Sequence, residues 1–362
     1  MKFLFIVQGE GRGHMTQAIA MNKILEKNGH SITGVVIGKS KFRKIPLFFT
    51  RSFQCPLVEI ESPNFASSSN QKGISILKTI LYNSLKLPVF ISSIKVLHGF
   101  IKQQEPDIII NFYEVLTGIY KKTHASTPPV YSIGHQFLLM HPDFVFPPRG
   151  ILSRWLIKIH TRLTGMGSTK WLALSFKKMR DLPGSKIKIV PPLLREEVLK
   201  LKPKETNLYL VYVLNPGYAE HVKKYHEENS STEIHLFGAN HSENEEIRLG
   251  DKFISHKIDD KKFLHYMSIC KGYATTAGFE SICEAMYLGK PALMIPSYKH
   301  FEQECNALDA ESAGAGIAAH EFNLHLLDNF IAKNDYRHTG SFREWADSAY
   351  KIYPRLLASL ND

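Results

Sequence analysis

The sequence predicts an α/β protein made of two doubly wound, Rossmann-like domains facing across a cleft. Continuous apolar runs such as residues 2–7 (KFLFIV) and 107–111 (DIIIN) are what parallel strands covered on both faces look like. Such runs alternate with helical stretches in two successive series, separated by Pro191-Pro192 and a Lys-rich tract reaching Thr206. At 362 residues the chain is also too long for one ordinary core. The expected division is 1–195 and 196–341, with a helical tail at 342–362 packing back on the first domain.

The first series opens with the strand at 2–7, followed by Gln8-Gly9-Glu10-Gly11-Arg12-Gly13-His14 and a helix over 15–27 that ends at Asn28-Gly29. A second strand at 31–37 completes a βαβ unit. This is not a dinucleotide-binding fingerprint. Its glycines are spaced G-x-G-x-G, and the second strand ends in Gly38-Lys39 with no acidic residue for a ribose. A third strand is expected at 57–60, after the which comes the apolar, basic stretch 74–102. That stretch reads as two helices parted at Pro88, suited either to core packing or to a membrane surface. Strands at 107–111, 130–133, 171–175 and 186–190 complete the half. The second series places strands at 208–214, 233–237, 252–255, 271–274 and 292–295. The tail, 342–360, reads as helix with a break at Pro354, and the one low-complexity tract is Ser67-Ser68-Ser69.

Composition narrows the function. Hydrophobic residues make up 44%, as in a globular chain. The four cysteines form no C-x-x-C pair and read as reduced thiols, which suits a cytoplasmic protein. Neither a secretory signal nor an apolar run near the ~20 residues of a membrane span is apparent. The net charge is +11 but unevenly held: residues 1–200 carry 28 Lys and Arg against 11 Asp and Glu, and the remainder carries 17 against 23. A basic half implies an anionic partner. No finger, basic zipper or RNA-recognition signature is present, so nucleic acid is not expected. Anionic lipid or a phosphorylated acceptor fits better, with peripheral contact at the inner face of the membrane.

The chemistry is densest at 271–307. A strand leads into the small-residue turn Thr275-Thr276-Ala277-Gly278, and a helix opens at Phe279 or Glu280. Backbone N–H groups and the positive end of a helix dipole make such a turn an anion site, with phosphate its usual occupant. Glu284 lies within that helix, where a carboxylate could reach ribose hydroxyls. A polar loop with His300, Glu302, Gln303 and Asn306 follows. In the other half His14 stands at a helix N-terminus, where the dipole favours the neutral, proton-accepting imidazole.

This tract, from His256 to about Gly316, resembles the donor-binding domain of nucleotide-sugar glycosyltransferases of the GT-B fold. It is similar to the UDP-glycosyltransferases and to the bacterial enzyme that adds N-acetylglucosamine to lipid-linked muramyl peptide. The resemblance implies that Ile258, in Lys257-Ile258-Asp259-Asp260, meets the uracil ring, and that Thr276, Ala277, Gly278, Phe279 and Ser281 hold the diphosphate. It places Glu284 on the ribose and Glu302-Gln303 on the donor sugar. The Gly-rich loop at Gly11-Arg12-Gly13-His14 matches the one that carries the general base, which implies that role for His14, with Glu114 as its orienting carboxylate. Arg12, Gly13 and His135 would lie on the acceptor side, with His141 a further candidate. Two positions depart from the plant and animal enzymes, which carry His-Gly-Gly-Trp-Asn-Ser here: Thr276 replaces the His, and Glu280 adds a negative charge near the diphosphate.

The resemblance implies transfer of a sugar from a UDP-sugar to a hydroxyl acceptor, with inversion, in cell-envelope glycan or glycolipid synthesis. No Asp-x-Asp motif appears, so no essential metal and no cofactor beyond the donor are expected. Two other readings stay open: a UDP-N-acetylglucosamine 2-epimerase-like enzyme, and a non-catalytic protein that binds nucleotide sugar or nucleic acid.

Overall fold

Strand β1 (Lys2–Gln8) is an interior strand of a seven-stranded sheet, with Phe3, Leu4, Phe5, Ile6 and Val7 all fully buried. The computed structural model describes residues 1–41, 43–64, 76–124, 126–213, 216–238, 246–333 and 340–358. The serine tract at 67–69 and the ends of the expected segments 74–102, 208–214 and 342–360 lie outside the described residues. Two units emerge. One comprises residues 1–144, 149–195 and the tail from Trp345, and the other 145–148 and 196–344.

In the first unit β1 is joined by β2 (Ser31–Lys39), β3 (Leu57–Glu61), β4 (Ile108–Phe112), β5 (Val130–Gly134), β6 (Lys170–Leu174) and β7 (Ile187–Val190). The order is β3-β2-β1-β4-β5-β6-β7 and every pair is parallel. Strand order therefore reverses between β1 and β4, and their C-terminal ends form the switch point where open α/β sheets bind ligands. The helices are α1 (Arg12–Lys27), α2 (Leu47–Thr50), α3 (Ile76–Leu85), α4 (Leu87–Gln104), α5 (Val115–Thr123) and α6 (Ile151–Thr164). Helix α1 begins three residues earlier than expected, after an extended Gly11, so Gly13 and His14 belong to its first turn. The expected parting near Pro88 is present: α3 ends at Leu85 and Pro88 lies in the first turn of α4, where the N–H it lacks would have no intrahelical partner. Phe90, Leu97, Phe100 and Ile101 of α4 pack with Leu4, Ile6, Val36 and Ile109 in the core.

The second unit repeats the plan with β8 (Leu208–Tyr212), β9 (Glu233–Phe237), β10 (Glu246–Gly250), β11 (Phe253–His256), β12 (Gly272–Thr275), β13 (Ala292–Met294) and β14 (Gly316–Ala318). Its order is β10-β11-β9-β8-β12-β13-β14, parallel throughout except where β10 runs antiparallel to β11. The reversal falls between β8 and β12. The edge strands β10 and β14 are additions to the expected set. The helices are α7 (Glu196–Lys200), α8 (Ala219–Glu228), α9 (Asp260–Ile269), α10 (Phe279–Tyr287), α11 (Phe301–Ser312) and α12 (Leu324–Lys333). Helix α7 occupies part of the expected linker because Val198 and the preceding Leu193 and Leu194 are buried.

The tail forms α13 (Gly340–Asp347) and α14 (Ala349–Ala358). The expected break at Pro354 is corrected: α14 continues through it, and the chain breaks at Ser348, whose hydroxyl donates to the Trp345 carbonyl. Trp345 Nε1 donates to the Ser175 carbonyl at 3.1 Å, and the Tyr353 hydroxyl to the Pro191 carbonyl at 2.7 Å. Among the described residues no helix is long and apolar enough to cross a membrane.

Candidate active site

At the first switch point His14 projects from the opening turn of α1. Its Nδ1 lies 3.2 Å from Gln17 Oε1, one helical turn on, and its ring stacks on Tyr113 with centroids 5.6 Å apart and 20° between planes. Because an amide oxygen can only accept, Nδ1 carries the proton and Nε2 holds the lone pair. Tyr113 follows β4 in a left-handed backbone conformation (φ 59°) that a bulky residue adopts only when its surroundings insist. Those surroundings come from α6: the Tyr113 hydroxyl meets Thr161 Oγ1 at 2.8 Å and His160 Nδ1 at 3.3 Å.

Glu114 is close by in sequence but committed elsewhere. It is buried and caps α5, its Oε1 accepting from Leu116 N at 3.1 Å and from the Ser62 hydroxyl. Its own N–H donates to Asn111 Oδ1 at 2.8 Å. Burial pushes its carboxyl up to about 7, against those hydrogen bonds, and the nearby Glu10 charge adds to the rise. Its hydrogen bonds do not include His14, whose Nδ1 is met by Gln17 instead. The physical reason is capping, since a carboxylate at the first position before α5 finds that helix's own N–H groups first. Gly38 makes room, as a Cβ there would overlap the Glu114 carboxyl.

The acceptor-side candidates are dispersed. Arg12 lies over the Phe48 ring at 4.9 Å, Gly13 follows it in α1, and Glu10 accepts from Ser40 N. His135 is 2% exposed and donates from Nδ1 to the Leu174 carbonyl at 2.9 Å. His141 is bound on both sides to backbone, Nε2 to the Arg180 carbonyl and Nδ1 accepting from Asp143 N, each at 3.2 Å.

In the second unit the turn after β12 takes the predicted shape. Gly278 is the N-cap of α10 in extended conformation (φ −85°, ψ 133°), and no side chain caps the helix. Gly278 N donates to the Thr276 carbonyl at 2.6 Å, and Asn306 of α11 reaches across to donate to the Ala277 carbonyl at 3.1 Å. Neither geometry nor crowding demands glycine: a Cβ at 278 would meet only Thr276 O at 3.8 Å and Ser281 Oγ at 4.0 Å. Phe279 is buried, so its contribution to the turn is its backbone N–H; Ser281 is half-buried. Glu284 lies on the buried side of α10.

Around this turn stand the remaining candidates. Ile258 is 41% exposed, large and apolar, in the loop between β11 and α9. Asp259 caps α9 by accepting from Lys262 N at 2.7 Å. Beneath that loop His235 Nδ1 and His256 Nε2 lie 2.6 Å apart, and burial, then the neighbouring His235, holds His256 down at about 4. No sequence pattern points to this pair, because the residues belong to adjacent strands 21 positions apart. Gln303 is pinned by its oxygen, which accepts from Ser297 N at 2.8 Å, while its amide NH₂ has no hydrogen-bond partner among the described residues. Glu302 is half-buried beside it on α11.

Two doubly wound parallel sheets, each with its polar candidates at the C-terminal switch point, define the GT-B class of glycosyltransferase. The chain belongs to Glycosyl transferase family 1, whose sequence model matches residues 1–334. No curated protein matches it in sequence. Among solved structures it is similar to Phytolacca americana UGT2, complexed with UDP-2-fluoro-glucose and pterostilbene, at TM-score 0.64 and 13% identity over the whole of both chains. It is similar to Arabidopsis thaliana UGT89C1, complexed with UDP-L-rhamnose, at TM-score 0.63 and 16% identity over 99% of this chain and 98% of that one. The glycosyltransferase SnogD from Streptomyces nogalater gives 0.58 and 14% over 99% of each.

Proposed function

We propose that this glycosyltransferase moves a sugar from UDP to an acceptor hydroxyl by single displacement with inversion, with His14 as the base. The observation that supports the proposal is the placement of the imidazole, with Nδ1 against Gln17 Oε1 and the ring stacked on Tyr113; with the proton on Nδ1, Nε2 is the basic nitrogen. In the proposed step Nε2 takes the hydroxyl proton, the oxygen bonds to the anomeric carbon, and the bond from that carbon to the diphosphate oxygen breaks. UDP leaves with both electrons of that bond. Backbone N–H groups at Thr276–Ser281 and the α10 dipole stabilise the charge that develops on the diphosphate, so no essential metal is required. Ile258 takes the uracil, Glu284 the ribose, and Gln303 with Glu302 the donor sugar. A pinned amide with its NH₂ presented supports that last assignment.

The acceptor we propose is a lipid-linked or anionic glycan of the cell envelope, met by peripheral contact of the basic half with the membrane. The charge excess of residues 1–200 supports this.

The test begins with thermal stabilisation by a panel of nucleotide sugars, followed by acceptor trials with the best donor. His14→Ala should lower transfer by about 10²-fold or more while UDP still binds, and Glu284→Ala should weaken UDP itself. Substantial transfer by His14→Ala removes the base assignment. Solvent hydrogen exchange into the sugar without any acceptor would replace transfer by epimerisation.

A further inference from the structure

Helix α6 exposes its largest apolar side chains and fully buries two of its polar ones. A helix on a water-soluble domain turns its apolar stripe to the core and its polar residues to solvent. In α6 Thr161 and Thr164 are fully buried, whereas Ile151, Leu152 and Trp155 are 84%, 62% and 60% exposed and Leu163 is exposed as well. The inward polar groups are bonded: Thr161 and His160 to the Tyr113 hydroxyl, and the Thr164 hydroxyl to the His160 carbonyl at 2.9 Å. The Leu163 carbonyl fits against Gly118 of α5, where any Cβ would overlap it. These contacts fix which way the helix faces.

At about 100° per residue, the exposed Ile151, Leu152, Trp155 and Leu163 and the half-buried Ile159 form one contiguous strip, and Arg154, Lys158 and Arg162 run along its edge. Residues 144–180 contain eight Lys and Arg and no Asp or Glu. Lys158 is shifted down by partial burial and by the charges of Arg154 and Arg162, which marks a concentrated positive field. An apolar strip with an aromatic ring, flanked on one edge by cations, has the chemistry of a helix lying in the headgroup region of a bilayer. A second copy of this chain paired antiparallel about a two-fold would set one cationic edge against another.

We propose that α6 is the element through which this glycosyltransferase lies on an anionic lipid bilayer, with Ile151, Leu152 and Trp155 inserted and Arg154, Lys158 and Arg162 at the lipid phosphates. This rests on the peripheral-contact reading above and adds its location. The location has a consequence for the acceptor. His160 and Thr161 hold Tyr113, and Tyr113 is the platform for His14, so the bilayer contact is two side chains from the proposed base.

The experiment uses the full chain, vesicles of phosphatidylglycerol and phosphatidylcholine, and vesicles of phosphatidylcholine alone. Trp155 is one of three tryptophans, and Trp345 is buried while Trp171 is half-buried. Brominated lipid should therefore quench fluorescence on anionic vesicles, and Trp155→Phe should remove that quenching. Arg154→Gln with Arg162→Gln should weaken binding to anionic vesicles about thirty-fold at low salt, and Ile151→Ser with Leu152→Ser by a similar factor. Stabilisation by UDP, measured in parallel, should be the same in every variant. If the chain ignores anionic vesicles, the peripheral-contact reading and this inference fall together, and UDP binding is untouched. If it binds but the α6 variants bind equally, only the assignment to α6 falls. Self-association that the α6 variants abolish would assign the face to a second copy and overturn the proposal.

Discussion

Glu114→Gln separates the two roles available to a buried carboxyl beside a candidate base. The Glu114 carboxyl titrates near 7 in the folded chain, against 4.5 for an unburied glutamate, chiefly because burial disfavours its charge. Between those values the native chain holds a proton that the unfolded chain has released. Stability from this group is therefore greatest at low pH, falls as pH rises through that window, and is level above it. The gap between those two values corresponds to about 3 kcal/mol. Glutamine remains neutral and keeps an acceptor for the Ser62 hydroxyl and the Leu116 N–H. Glu114→Gln should lose this slope, matching the parent near pH 4.5 and exceeding it at pH 8 by up to about 3 kcal/mol. Urea unfolding followed by tryptophan fluorescence measures this cleanly, because Trp155, Trp171 and Trp345 all belong to the first unit. Parallel stability–pH curves for parent and variant would refute the reasoning and reopen Glu114 as a charged partner for His14.

Gly278→Ala should fold as the parent does, since φ −85° suits any residue and its Cβ would make only ordinary contacts. If the space over that turn belongs to a diphosphate, UDP should bind about tenfold more weakly, read by calorimetry; unchanged affinity would take the phosphates elsewhere. Gln17→Glu should place a charge beside His14 Nδ1, stabilise imidazolium, and move the acidic limb of the kcat/KM profile upward by about one pH unit or more. The high-pH plateau should survive in that variant, whereas Gln17→Ala should lower it; a profile with an unmoved limb would deny Gln17 its contact. Gly118→Ala should destabilise the first unit by about 2–3 kcal/mol in urea unfolding, because the Leu163 carbonyl occupies the space a methyl would need.

Much of this protein is legible in the amino-acid order because parallel strands buried on both faces cannot alternate polarity. The central strands β1, β4, β8 and β12 all announce themselves as short apolar runs, as does the turn at Thr276–Gly278 between a strand and a helix. The edge strands do not. β10 is largely exposed, and β14 is three residues long and depends on Gly316 passing close to Ala292. Side-chain partnerships are similarly hidden. The resemblance pairs Glu114 with His14, but Ser62, 52 residues away, and the start of α5 hold its carboxyl. Helix α6 shows the division most plainly. The amino-acid order makes it amphipathic and basic, since the 3.6-residue period gathers its apolar residues on one side. It cannot say which side turns inward, because both orientations have the same period. Tyr113, Thr161 and Gly118 decide that, through hydrogen bonds and a close backbone approach that exist only once β4, α5 and α6 have packed together.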